Sequence, residues 1–199
     1  METAAWVGVF GGLSLASHPL DATTNQHLQG SEFSNTFFGA GATLGENAAL
    51  MGVGGGLYVW GRWKHESSVA HIGSDLLRGE IESELLTEGI KMVVGRPRPD
   101  GTSSSFPSGH AASAFTAATV LQGHYGWKAG VPAYAVATYV AASRLHDNKH
   151  YLSDVIFGAG IGIATGRVVT RPSGVDYTFV PVAVPGGWAF MIHRIAARD

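Results

Sequence analysis

His150 and Asp154 stand four residues apart. At that spacing a carboxylate can accept the proton of one imidazole nitrogen, fix the tautomer and leave the other nitrogen free to attack an electrophile. A second histidine, His110, closes the segment Phe106-Pro-Ser-Gly-His110, which reads as the opening of a helix. Unpaired amides at a helix start form an anion site, with Gly109 giving close access and Ser108 adding a hydroxyl donor. A histidine placed there titrates near neutrality, as a general acid must. Lys91 and Arg98 are seven residues apart, two turns if the chain is helical, so both cations could project to one side. Arg144 follows Ser143 at the close of another helical segment.

Each segment also has an ordinary reading. Lys91 and Arg98 fit a solvated helix end, where cations complement the negative pole. Residues 106–110 fit an N-cap turn with an incidental histidine, and His150–Asp154 fits a surface pair. Read as one set they fill every role of a phosphoryl transfer. That reaction needs charge stabilisation at the nonbridging oxygens more than any covalent device. Three cations of the chain's thirteen gather in this set. Arginine's fork suits phosphate bidentately and lysine serves as a point charge. Two histidines then supply nucleophile and leaving-group acid.

Helical patterns must carry these residues. Ala4–Ala16 reads as a first helix, His18–Ser34 as a loop or irregular stretch, and Thr36–Trp60 as one or two Gly- and Ala-rich helices. Val69–Val94 is the best amphipathic candidate, with Ile72, Leu76, Ile81, Leu85, Ile90 and Val94 as its apolar positions. The run Gly95–Ser105, with two prolines, breaks the helix into an exposed loop. Ser108–Leu121 restarts as a helix with Ser108 as N-cap. Trp127–Leu145, starting near Pro132, and His150–Val169 follow. Tyr177–Val184 alternates, and Pro185-Gly186-Gly187 leads into Trp188–Ile192, a terminal β-hairpin.

Composition narrows the partners. The 199 residues suit one domain, 1–199, without linker or repeat. A net charge of −2 argues against nucleic acid. The absence of cysteine excludes thiolate sites and cysteine nucleophiles. A spanning helix needs roughly 20 apolar residues. Ala129–Ser143 contains Pro132, Val155–Gly166 is short, and Glu46-Asn47 divides residues 37–60, so a soluble or membrane-surface domain is expected rather than a spanning one. No signal-peptide pattern follows Met1.

The three segments Lys91-x6-Arg98-Pro99, Pro107-Ser-Gly-His110 and Ser143-Arg144-x5-His150-x3-Asp154 resemble the three-part signature of the type 2 phosphatidic acid phosphatase family, which shares its site with the vanadium-dependent haloperoxidases. The signature spans Lys91–Asp154, about a third of the chain, with every fixed position met. The resemblance implies an all-α fold, a bundle of about six helices with the site between them. It implies that Lys91, Arg98, Arg144, Ser108 and the Gly109 backbone bind phosphate. It further implies that His150 attacks phosphorus, Asp154 orients His150, and His110 protonates the leaving alkoxide and then activates water. It implies no metal or other cofactor, with vanadate occupying the pocket as a transition-state mimic. The partner would be a small-molecule or lipid phosphate, in a bacterial periplasm or envelope, with peripheral membrane contact. A haloperoxidase and a non-catalytic phosphate or headgroup module are the alternatives. The chain's short length disfavours the first, and an intact pair of histidines with Asp154 disfavours the second.

Some neighbours are set aside. Arg96, five residues from Lys91, falls on another side of a helix and is assigned to a loop or rim. His146 and His150, four apart, could hold zinc, but that leaves the three cations without a purpose. Glu84 and Glu88 precede Lys91 on its helix and could pair with it. The pocket walls are expected from Thr36–Trp60 and Val69–Thr87.

Overall fold

The computed structural model describes residues 5–28 and 35–171 in full, with backbone alone for 2–4, 32–34, 176–184 and 187–195. Among the described residues the chain folds into helices α1 (Glu2–Ser17), α2 (Asp21–Leu28), α3 (Glu32–Phe38), α4 (Gly41–Leu44), α5 (Asn47–Lys64), α6 (Ser67–Val94), α7 (Gly109–Tyr125), α8 (Trp127–His146) and α9 (Leu152–Thr170). A single 3-10 turn, His18–Leu20, joins α1 to α2. The stretch expected as a loop, His18–Ser34, is therefore mostly helical. Its polar side chains have buried partners far along the chain, a tertiary effect that overrides local propensity.

Local chemistry explains most ends. Ser108 caps α7, its hydroxyl accepting from the Ala111 amide at 3.4 Å. Gly95 ends α6 in the left-handed region (φ 58°), its amide donating to the Lys91 carbonyl. Pro132 lies inside α8 rather than at its start. So near the first turn it forgoes one hydrogen bond without breaking the helix. His150 precedes α9 by two residues, so it does not share a helical face with Asp154 in the way the spacing suggested.

α7 and α9 form the centre. α7 packs on α5, α6, α8 and α9, and α9 on α1, α6 and α7. Their contact is backbone to backbone. A β-carbon on Gly158 would overlap the Ser108 carbonyl oxygen, and one on Gly162 would overlap that of Ala112. The core is accordingly built from small residues, Ala111, Ala114, Ala118, Ala137 and Val140 among them.

α6 reverses its expected faces. Ile72 and Leu76 are buried, but further along the inward positions are Gly79, Glu80, Ser83 and Thr87. The apolar residues point out: Leu85 is 70% exposed, Met92 82% and Val93 86%. Trp63, Trp127 and Val131 are exposed on other helices. Leu152–Thr170 is also long and apolar enough to cross a membrane, though it is mostly buried in the bundle. The expectation of a soluble rather than membrane-spanning domain has no support in this surface.

The fold is an all-helical bundle. Of the expected terminal hairpin, only backbone pairing of Asp176–Val184 with Gly187–Ile195 is described. The packing of this expected hairpin lies outside the described residues.

Candidate active site

Four chain segments converge at one end of the bundle. Lys91 sits in the last turn of α6, and its ammonium lies 3.5 Å from where a β-carbon on Gly109 would stand. Glu88, not Glu84, holds it, with Oε1 2.6 Å from Nζ. Arg98 follows in the loop, because α6 ends at Val94. The helical two-turn argument for Lys91 and Arg98 therefore fails. The loop supplies the geometry instead, with the Arg98 amide donating to the Thr102 carbonyl at 2.7 Å and the Ser105 amide to the Arg96 carbonyl at 2.8 Å.

Ser108, Gly109 and His110 open α7, with Ser108 fully buried. Arg144 lies in the last turn of α8, 5% exposed, so its guanidinium is not turned out to water. One of its nitrogens donates to Asp147, while its Nε is buried without a partner, as is the Nε of Arg98. Two buried guanidinium donors lacking acceptors suit an anion.

The electrostatics tie the set together. Burial comes first, and the charges of Arg144, His150, Lys91 and Arg98 add to it, pushing the His110 imidazole down to about 4. All four groups thus act on one ring. Burial also lowers His150, opposed by Asp154 and Ser105. Burial pushes the Asp154 carboxyl up. The pull of His150, the hydrogen bonds from Ser105 and the Tyr151 amide, and Arg96 outweigh that and hold it below its usual range.

His150 is oriented differently from expectation. Its Nδ1 lies 2.7 Å from the Ser105 carbonyl oxygen, an acceptor that makes Nδ1 the protonated nitrogen. Asp154 Oδ2 is 3.8 Å away, so the carboxylate acts at longer range. Asp154 instead accepts from Ser105 Oγ, from the Tyr151 amide at 2.8 Å and from Arg96 Nη1 at 2.7 Å. Arg96 is therefore no rim residue. Its other nitrogen donates to Asp21 Oδ2 at 2.7 Å, and its guanidinium stacks on the Tyr151 ring at 4.0 Å.

Arg96, Ser105 and Asp21 were missed in the sequence. The one available signal was Arg96 itself, a second arginine beside Arg98. The Ser105 contact is made by a carbonyl, which every residue carries, and Asp21 is 133 residues from Asp154. His146, the other half of the zinc alternative, stacks on Phe38 at 4.9 Å and bonds Asp147. An apolar recess of about 640 Å³ borders Arg96, Phe106 and Ser153 from the α1 side.

The PAP2 superfamily profile matches residues 75–174. A lipid A 1-phosphatase of Porphyromonas gingivalis is 40% identical over 116 residues, which cover 52% of this chain and 26% of that protein. A lipid A 4'-phosphatase of Helicobacter pylori is 29% identical over 97 residues, covering 43% and 49%. The match thus spans from a quarter to a half of those relatives' length. Among solved structures, Aquifex aeolicus LpxE superimposes with a TM-score of 0.63 at 23% identity, covering 75% of this chain and 94% of that one. A transmembrane PAP2-type phosphatidylglycerolphosphate phosphatase from Bacillus subtilis gives 0.64 at 22% identity, covering 84% and 93%. At these identities the structural likeness speaks for the fold.

Proposed function

The chain belongs to the PAP2 superfamily, and we propose that it is a phosphatase that removes phosphate from a lipid phosphate ester through a phosphohistidine, without a metal ion. The observation that carries this reading is the convergence of Arg144, His150, Lys91 and Arg98 on the half-buried ring of His110. A binding module needs the cations, but not a second imidazole held among them.

In this mechanism the three cations, the Ser108 hydroxyl and the Gly109 amide hold the nonbridging oxygens. His150 Nε2 attacks phosphorus while the P–O bond to the alcohol breaks, and His110 gives its proton to the leaving oxygen. Water then attacks phosphorus, the P–Nε2 bond breaks, and His110 takes the proton of the water. Phosphate leaves and His150 is restored. His110 at about 4 is neutral in the empty site near pH 7. A bound phosphate dianion offsets the cations that depress it, so the ring takes up with the substrate the proton that the leaving group needs. Vanadate, a mimic of the five-coordinate state, should inhibit.

Two observations favour a lipid alcohol. The named functions of the curated relatives concern lipid A, and α6 turns Leu85, Met92 and Val93 outward beside Lys91. The chain would then work at a bacterial envelope membrane, its outer apolar faces on lipid and its site toward the periplasm. The test is phosphate release with EDTA present, from lipid A and other lipid phosphates in mixed micelles and from p-nitrophenyl phosphate. The reading expects turnover, preference for the lipid esters and loss in His150→Ala. Metal-dependent turnover, or an active His150→Ala, overturns it.

A further inference from the structure

The N-terminal helix α2 lies outside residues 75–174, yet it reaches the site through buried polar side chains. Asp21 and Asn25, one turn apart, are each 4% exposed. Asp21 Oδ1 accepts from the Ser153 amide at 2.9 Å. Its Oδ2 accepts from Ser153 Oγ at 2.7 Å and from Arg96 Nη2 at 2.7 Å. Arg96 Nη1 completes the ring, donating to Ser153 Oγ at 2.8 Å and to Asp154 Oδ1 at 2.7 Å. Asn25 Nδ2 donates to the His150 carbonyl oxygen at 3.1 Å.

We infer that Asp21 is a positioning residue for the reaction, acting through Arg96 and Ser153 to fix Asp154 and, through it, the His150 loop. The inference rests on the phosphohistidine reading above. An ordinary structural ion pair would join two helices at one point. Here both oxygens of Asp21 are taken by groups that themselves hold the catalytic loops. Arg96 is shared between two carboxylates with its fork fixed by Tyr151. From Asp154 the chain of bonds continues to Ser105 Oγ, and the Ser105 carbonyl oxygen accepts the hydrogen bond from His150 Nδ1. Removing Asp21 leaves Arg96 free to swing wholly onto Asp154 and frees Ser153 at the first turn of α9. Both changes move the nucleophile relative to phosphorus without touching the phosphate-binding cations. A displacement near an ångström in such a pair can cost about a hundredfold in rate.

The test uses the full chain with p-nitrophenyl phosphate and compares Asp21→Asn, Arg96→Gln and the double variant. Asp21→Asn should lower kcat about ten- to a hundredfold, with KM within about twofold of wild type, because the ground-state phosphate contacts remain. The double variant should fall by clearly less than the product of the two single losses, since Asp21 acts in part through Arg96 and in part through Ser153. Asp21→Glu should recover part of the rate. Multiplying losses in the double variant, or a loss confined to KM, would overturn the inference. If Asp21→Asn loses its cooperative melt, Ser153→Ala reads the same link by removing one hydroxyl from the ring. A fall in its kcat at constant KM supports the inference, and an unchanged kcat overturns it. His150→Ala is run in parallel. If it stays active, the phosphohistidine reading fails and takes this inference with it. If it is dead while Asp21→Asn is wild type, only the positioning role fails.

Discussion

His150 Nδ1 donates to the carbonyl oxygen of Ser105 at 2.7 Å, while the nearer oxygen of Asp154 is 3.8 Å away. A backbone carbonyl cannot itself accept a proton in exchange, so the ring is locked as the tautomer with a free Nε2. The phosphoryl group should therefore be found on Nε2. Trapping the intermediate at alkaline pH and assigning it by phosphorus NMR checks this, and His150→Ala should show neither signal nor turnover. An Nδ1 adduct would mean that the Ser105 bond breaks before attack.

Arg144 keeps a buried Nε without a partner and gives one Nη to Asp147. Arg144→Lys retains the charge and loses the fork, which should cost about 2–4 kcal/mol in kcat/KM, as for an oxyanion donor. That is a fall of roughly thirty- to a thousandfold. A near wild-type rate would remove Arg144 from direct contact with the phosphate.

The sign of the pH response follows from His110, held at about 4 against 6.5 for the free ring. In the free enzyme its protonated fraction shrinks as pH rises, so kcat/KM should decline from about pH 5 to pH 8. Stability runs the other way. The unfolded chain binds the extra proton between those two values, so the His110 contribution is present above 6.5 and lost as pH falls to about 4. His110→Gln should therefore lose less melting temperature than wild type over that acid window. Equal losses would show that the ring is not held neutral by its surroundings.

Gly162→Ala tests the spacing of the two central helices. Alanine in a helix gains up to about 1 kcal/mol over glycine. Here its methyl would overlap the Ala112 carbonyl oxygen and lie 2.8 Å from the Thr116 amide nitrogen, both rigid backbone. Overpacking of about 1–3 kcal/mol should win, so the variant should melt lower, and kcat should fall because α7 carries His110. A stabilised, fully active variant would show that α7 and α9 can separate freely.

What was legible in the sequence was chemistry that is local or fixed in order. Ser108 announces its cap because the hydroxyl meets an amide three residues on. The sets at 91–98, 107–110 and 143–154 were grouped by residue type and spacing, and the fold brings Lys91, Arg98, Arg144 and His150 to His110. Arg96 was misjudged because helical geometry was carried past Val94, whereas Gly95 turns the chain and aims Arg96 inward. Asp21 gave no local sign, since its partners Arg96 and Ser153 lie 75 and 132 residues away. The apolar rhythm of α6 was real but pointed outward beyond Leu76, for periodicity identifies a face and not which side it takes. The polar stretch from residue 18 was expected as loop because the partners of Asp21 and Asn25 lie far along the chain.

The turn between α8 and α9 has a mechanical consequence. The carbonyl of Arg144 accepts the amides of Lys149 at 3.1 Å and His150 at 3.3 Å. The backbones of Arg144 and His150 are thus stitched into a single short hoop. The two backbones are therefore held at a fixed separation, whatever rotamers their side chains adopt.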